Sequence, residues 1–288
     1  MTIVIRPLSA PRDLSSCVSL QREACDGAAF FSAPALVAVQ RSEGLILGAV
    51  DDDGITHGAI VDVASVDGNG MKRWFTAFRA VSVADRNNGI GTRLRCEERD
   101  LGMKRGVELI SWAIDPLRSL EAHIAFNKLG AVAAGYERDM YGELRDSRNS
   151  GLATDRLIVE WWLTSPRVCG VIDRRALPYH FHLGLDRMEV ATRTAVAPSG
   201  HRRLLGFDDS VCSGITSHSV ILVEIPAKLD ALREEDIDLA RDWRVRTRDI
   251  FERMFTSGHI ITGLVHEGGR SFQLFERASR GTILEREG

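Results

Sequence analysis

Val81-Ser82-Val83-Ala84-Asp85-Arg86-Asn87-Asn88-Gly89-Ile90-Gly91-Thr92-Arg93-Leu94 is the stretch on which the reading of this chain turns. Ahead of it, Phe75 to Val83 is rich in aromatic and β-branched residues, which suit a strand. Behind it, Ile90, Leu94 and Leu101 share one helical face. The loop between carries no bulky side chain except Ile90. Gly89 and Gly91 let main-chain N–H groups turn inward with no Cβ in the way. The first amides of a helix have no acceptor in their own helix, so loop and helix start form an anion site. Arg86 adds a fixed positive charge. A pyrophosphate meets that description. The spacing is Arg-x-x-Gly-x-Gly, without the lysine and hydroxyl that grip a nucleotide triphosphate with magnesium.

The flanking sequence places this loop in a mixed α/β fold. Thr2 to Arg6 alternates as a first strand. Pro11 opens a helix with a stripe at Leu14, Val18 and Gln21, and Ser32-x-Pro34 starts a second helix through Val39. Three strands follow, Leu45 to Val50, Ile55 to Val66 and Met71 to Val83, joined by Asp51-Asp52-Asp53-Gly54 and Asp67-Gly68-Asn69-Gly70. The acids of the first turn lack the glutamate spacing of a calcium loop. After the helix from Gly89 come a strand from Val107 to Ile114, a helix from Arg118 to Leu129, and two strands, Ala131 to Gly142 and Asp155 to Leu163. The order β-α-α-β-β-β-α-β-α-β-β predicts a mixed sheet with helices on both faces.

Strand, Arg86-Asn87-Asn88-Gly89-Ile90-Gly91, helix resembles motif A of the GNAT acyltransferases, which hold the pyrophosphate of coenzyme A there. Trp112-x-x-Asp115-Pro116-Leu117 followed by Asn127-Lys128-Leu129-Gly130 resembles their motif B. The element order is also theirs, over roughly residues 1–165. Gly151 to Trp161, Val223-Glu224-Ile225-Pro226 and Ala240-Arg241-x-Trp243-Arg244-x-x-Thr247-Arg248 are similar to a subfamily of long predicted acetyltransferases with a C-terminal extension. Some relatives of that kind acylate amino acids, including D-amino acids with a succinyl group.

The resemblance implies an acyl-CoA-dependent N-acyltransferase, with acetyl-CoA or another acyl-CoA as cosubstrate and a small amine or amino acid as acceptor. Transfer would be direct, in a ternary complex. Backbone groups of Val81 and Val83 would meet the pantetheine arm. Arg86, Asn87, Asn88, Gly89, Ile90, Gly91 and Thr92 would take the pyrophosphate, and Asn127 the arm from the far side. Phe126 stands where motif B often has a tyrosine that protonates the leaving thiolate. Tyr136 and Tyr141 are the replacements in reach, and Glu23, His123 and Asp115 are candidate bases. Arg79 and Arg118 are candidates to pair with a substrate carboxylate. The departures leave a second reading, a non-catalytic acyl-CoA sensor or scaffold.

Composition narrows the alternatives. A net charge of −3 over 288 residues offers no basic surface for nucleic acid or an anionic membrane. No apolar run is long enough to span a bilayer, and no secretory leader is evident, so a cytoplasmic protein is expected. Five cysteines, never in Cys-x-x-Cys, point to a reducing compartment without disulfides or a zinc knuckle. His180-x-His182 lacks a third ligand, and no metal is expected.

Residues 166–288 read as a second, α+β domain beyond the 1–165 GNAT-like domain. Arg167 to Ile172, Met188 to Val196 and Ser219 to Ile225 are strand-like, Asp236 to Ser257 is a strong amphipathic helix, and a hairpin surrounds Glu267-Gly268-Gly269-Arg270. The order β-β-β-α-β-β suggests a degenerate half-repeat of the first domain, and this unit would mediate a homodimer. Arg277 to Gly288 is expected to fray.

Overall fold

The computed structural model describes residues 2–144, 146–173, 188–213 and 220–286. They form two compact units, Met1–Trp112 and Ala113–Gly288.

The first unit runs β1 (Val4–Pro7), α1 (Pro11–Ala24), α2 (Ala33–Arg41), β2 (Leu45–Val50), β3 (Thr56–Val66), β4 (Lys72–Val81), a 3-10 turn (Val83–Asp85), α3 (Ile90–Lys104) and β5 (Val107–Ile114), which leaves the unit at Trp112. The strands lie in the order β1-β2-β3-β4-β5, antiparallel except for parallel β4–β5. Side chains alternate between the two faces of β3. Ala59 and Val61 join Leu14, Cys17 and Leu20 of α1 and Leu36 and Val39 of α2 in one core. Gly58 faces the other way, toward α3. Arg6 holds Asp13 by two 2.8 Å hydrogen bonds. Arg6, followed by the Ser9 and Ala10 N–H groups, depresses the Asp13 carboxyl to about 2 against the cost of burial, so this tie of β1 to α1 persists to low pH.

Gly58 lets α3 approach the sheet. A Cβ there would stand 2.9 Å from Ile90 Cγ2 and 3.0 Å from Leu94 Cδ1. Gly58→Ala should push the start of α3 outward and cost about 1–3 kcal/mol, the usual range for overpacking. Urea titration checks the loss.

The second unit contains α4 (Ser119–Ala122), continued by a π-helical turn (His123–Lys128), β6 (Val132–Glu137), β7 (Arg156–Trp162), α5 (Pro166–Ile172), β8 (Met188–Val190), β9 (Thr192–Val196), β10 (Arg202–Phe207), β11 (Val220–Ile225), α6 (Leu229–Glu235), α7 (Ile237–Thr256), β12 (His259–Glu267), β13 (Arg270–Arg277) and α8 (Arg280–Leu284). Its sheet has the order β7-β6-β12-β13-β11-β8, with β9 and β10 as a separate ribbon. On α7 the expected stripe of Ala240, Trp243, Thr247, Ile250, Phe251 and Met254 is buried.

Several expectations are corrected here. Residues 167–172 are helical, because Pro166 starts a turn that the Ser165 hydroxyl caps by accepting from Val168 N–H. The strand after Ala131 stops at Glu137. Beyond it Asp139 and Gly142 take positive φ, and Thr154 binds both. The helix expected over 118–129 is α-helical only in its first turn. The C-terminal segment folds as α8, whose Ile283 and Leu284 pack with Val132 and Ile260. Strand β10 and helix α6 had no counterpart in the expected β-β-β-α-β-β order. Within the second unit β6 bridges β12 through Ala133 and Ile261. His180 and His182 lie outside the described residues.

Candidate functional site

The site grows from an irregularity in β4. In the β3–β4 register, Val61 faces Phe78 and Asp62 faces Thr76, so Ala77 is a surplus residue, a β-bulge. On the opposite edge, β4 pairs with β5 only from Lys72↔Val107 to Phe75↔Ser111. Pairing therefore stops where the bulge begins, although β4 continues to Val81. A bulge bends its strand and adds twist. The consequence is a wedge between the two parallel strands along the last residues of β4.

Buried groups from α3 fix the bulge. Thr76 Oγ1 lies 3.1 Å from Glu98 Oε1 and 3.0 Å from Arg95 Nη1, and Arg95 reaches both Glu98 oxygens at 2.7 Å. The Arg95 guanidinium also lies 4.1 Å from the centre of the Trp112 ring. Asp62 is fully enclosed. Burial and then the Glu98 charge push its carboxyl well above the ordinary value.

Beyond β4 the chain turns sharply. Ser82 N–H donates to His57 C=O at 2.8 Å, and Asp85 N–H to Ser82 C=O at 3.1 Å. Asn87 (φ +66°) and Gly89 (φ +77°) are left-handed, and Gly89 ends the loop as the N-cap of α3. Among the described residues no side chain caps α3, and no acid sits in its first turn. By contrast Ser32, Ser165, Asp236 and Ser279 cap α2, α5, α7 and α8. The first intrahelical bond shown is Arg93 N–H to Gly89 C=O. The amides of Ile90, Gly91 and Thr92 thus point out of the helix start, where the helix dipole is positive. Arg86, Asn87, Asn88, Gly89 and Thr92 are exposed around them. A Cβ on Gly91 would meet nothing closer than Arg79 Nη1 and Val81 Cγ2, both at 3.8 Å, so the space over the amides is open. Arg79 thus ends beside Gly91, and Arg86 Nε donates to Val81 C=O at 3.4 Å.

Of the acid–base candidates, Glu23 belongs to the same unit. Its Oε1 accepts from Val83 N–H at 3.0 Å, at the exit of β4. The others lie in the second unit and are engaged there. Tyr136 O–H donates to Asp155 Oδ2 at 2.6 Å. Burial first, then Asp155, raises its pKa, which makes it a poor proton donor. Asp155 in turn takes two 2.8 Å bonds from Arg248. His123 is half-buried, and burial, with Lys128, lowers its pKa. Its Nδ1 lies 3.2 Å from Asn127 Nδ2. Asn127 exchanges two bonds with the main chain of Leu264, donating to its C=O at 2.7 Å and accepting from its N–H at 3.0 Å. That carboxamide acts as an extra rung on β12 and is committed to it. Asp115 is buried against Arg244 at 2.6 Å. Tyr141 is exposed, its ring centre 5.3 Å from the Arg156 guanidinium carbon. Arg118 binds Asp230 twice at 2.8 Å.

The sequence reading missed His57, which stands between two carboxylates beside the loop, Asp85 at 2.7 Å and Asp51 at 3.0 Å. Nothing in the local pattern around Thr56-His57-Gly58 signals it, because its partners arrive from two different turns. A groove of about 720 Å³ in the second unit is lined by Asp209, Asp249, Glu252 and Arg253 among others. Arg253 already pairs with Asp209, so that groove repels anions. Among the described residues no cluster of three or more His, Cys, Asp or Glu side chains could hold a metal, and no helix is long and apolar enough to cross a membrane.

No family model matches the sequence, and no curated protein does. Solved structures similar to it include the NatC complex bound to Gag peptide and CoA, at 20% identity and a TM-score of 0.47 over 57% of this chain and 100% of that one. A GNAT-family acetyltransferase from Streptococcus pneumoniae gives 15% and 0.45 over 55% and 98%. The ribosomal-protein-S18-alanine N-acetyltransferase from Escherichia coli gives 18% and 0.43 over 55% and 92%. At such scores the likeness carries no weight for chemistry, which has to be read from the chain's own residues.

Proposed function

We propose that this protein is an acyl-CoA-dependent N-acyltransferase that transfers an acetyl or succinyl group to the amine of a small molecule or amino acid. The observation that carries the reading is the bulged, splayed end of β4 running into an uncapped helix start. The amides of Ile90, Gly91 and Thr92, with Arg86, form a receptor for a diphosphate. The unpaired edge of β4 up to Val81 and Val83 offers main-chain groups to the amides of a pantetheine arm. A main-chain N–H near Val81 would meet the thioester oxygen as it becomes an oxyanion.

The reaction needs a neutral amine, whose nitrogen attacks the thioester carbon. The tetrahedral intermediate then expels CoA thiolate, and the amine proton leaves to a base. We assign that step to Glu23, whose contact with Val83 N–H at the exit of β4 supports the choice. A cofactor arm bonding to Val83 N–H displaces Glu23 from it, which frees the carboxylate at the end of the wedge. Glu23→Gln should lower kcat by about 10²–10⁴-fold, the usual share of a general base, with little change in CoA affinity. Thiol-release assays crossing acetyl- and succinyl-CoA with L- and D-amino acids and polyamines test both the activity and the residue. Thiol release with none of them, despite CoA binding, would favour the alternative of an acyl-CoA sensor.

A further inference from the structure

We propose that His57 is a positioning residue for the diphosphate loop, a charged clamp that ties Asp85, one residue before Arg86, to the β2–β3 turn. The inference rests on the reading of that loop as the CoA site. The geometry is the one that a charged ring completes. His57 Nδ1 lies 2.7 Å from Asp85 Oδ2, and Nε2 lies 3.0 Å from Asp51 Oδ2. Carboxylate oxygens only accept, so both ring nitrogens carry hydrogen and the ring is an imidazolium.

Each carboxylate is fixed from its own side. Asp51 Oδ1 accepts from the N–H groups of Asp53 and Ile55 at 3.0 and 2.8 Å, which holds it within the turn. Asp85 Oδ2 also accepts from the Ser82 hydroxyl at 2.8 Å. His57 grips the same turn through its main chain, since its C=O receives Ser82 N–H. A continuous line of bonds thus runs from the β2–β3 turn through His57 to the residue that launches Arg86–Gly91. Other charges nearby are engaged elsewhere: Arg12 and Glu23 of α1 bind Asp53 C=O and Val83 N–H, and Arg93 of α3 binds Ile3 C=O. The charges on the ring are those of Asp51 and Asp85.

The hydrogen bond to Asp51 raises the His57 pKa most, burial opposes it, and Asp85 raises it further. The clamp is therefore complete below the ordinary histidine value of about 6.5 and is lost as pH rises through the raised one. Above it, one ring nitrogen turns a lone pair toward a carboxylate. The trio then carries one more negative charge beside the site for a diphosphate.

The test is the affinity for CoA from pH 6 to 9.5, by calorimetry, for wild type and His57→Asn. Asparagine keeps a donor toward Asp85 and cannot be charged. Both proteins meet the same titration of the CoA 3′-phosphate, so their difference isolates His57. Wild-type affinity should exceed that of the variant about tenfold at pH 6 and converge with it at high pH. NMR should place the His57 titration above the ordinary range in the free protein, and Asp51→Asn should move it down. Parallel profiles, or a His57 titrating at or below 6.5, would overturn the clamp. A wild type that binds no CoA at any pH would sink the diphosphate reading alone. The clamp is then decided by hydrogen exchange, where the amides of Ser82 and Asp85, which donate to His57 and Ser82 C=O, should exchange at least tenfold faster in His57→Asn at pH 6. Unchanged exchange rejects it.

Discussion

Gly91→Trp is expected to weaken CoA binding by about 100-fold or more and leave the protein folded. A hundredfold is about 2.7 kcal/mol, within what a diphosphate gains from several main-chain donors at a helix start. The substitution acts by covering the amides. Gly91 is a helical residue with no positive φ, and a Cβ there has 3.8 Å of clearance on its nearest neighbours. The indole therefore projects over the donors of Ile90 and Thr92 without straining the backbone. Gly89→Ala is the contrasting control. Its Cβ meets nothing, but its φ of +77° is left-handed, so the penalty of about 1 kcal/mol falls on folding. Calorimetry with CoA and thermal melts separate the two effects. A Gly91→Trp protein that bound CoA within threefold of wild type would show that the diphosphate is held elsewhere.

Asp115→Ala is expected to cost about 3–5 kcal/mol of stability, the range for removing one partner of a buried ion pair. Asp115 and Arg244 are both enclosed, 2.6 Å apart. Arg244 Nε and Nη1 have no hydrogen-bond partner among the described residues, so loss of Asp115 leaves the whole guanidinium buried without a counter-charge hydrogen-bonded to it there. Burial raises the Asp115 carboxyl. The charge and hydrogen bond of Arg244, with Leu117 N–H, more than offset this, and the net shift is downward. Stability from the pair is therefore full above the ordinary aspartate value of about 3.9 and lost as pH falls through the lower folded one. Urea unfolding at pH 7 measures the loss, and the difference between wild type and variant should shrink at the acid end. An Asp115→Ala protein as stable as wild type at pH 7 would mean the pair is not buried as described.

The first unit was legible because its signals are local. Hydrophobic alternation gives the strands, Pro11 and Ser32 mark helix starts, and Gly89 with Gly91 declares a loop that needs open amides. The second unit hid its elements in long-range decisions. Residues 167–172 carry β-branched side chains, yet a Ser-Pro cap makes them a helix. Ile283 and Leu284 look like a charged tail's last apolar residues until they meet Val132 and Ile260. For the site, the loop could be read and its surroundings could not. The roles of Asn127 and Asp115 are set by partners more than a hundred residues away, Leu264 and Arg244, and that of Tyr136 by Asp155, which the β6–β7 pairing brings alongside it. His57 escaped because its two carboxylates, Asp51 and Asp85, come from two separate turns.

The surplus residue in β4 has a genetic corollary. Excising the single codon for Ala77 would put β4 back in step with β3, remove the bend that ends its parallel pairing with β5, and narrow the wedge. The composition and core would hardly change, yet the berth proposed for an acyl carrier would be gone. An inventory of point substitutions cannot expose this dependence, since the site rests on how many residues β4 contains as much as on which they are.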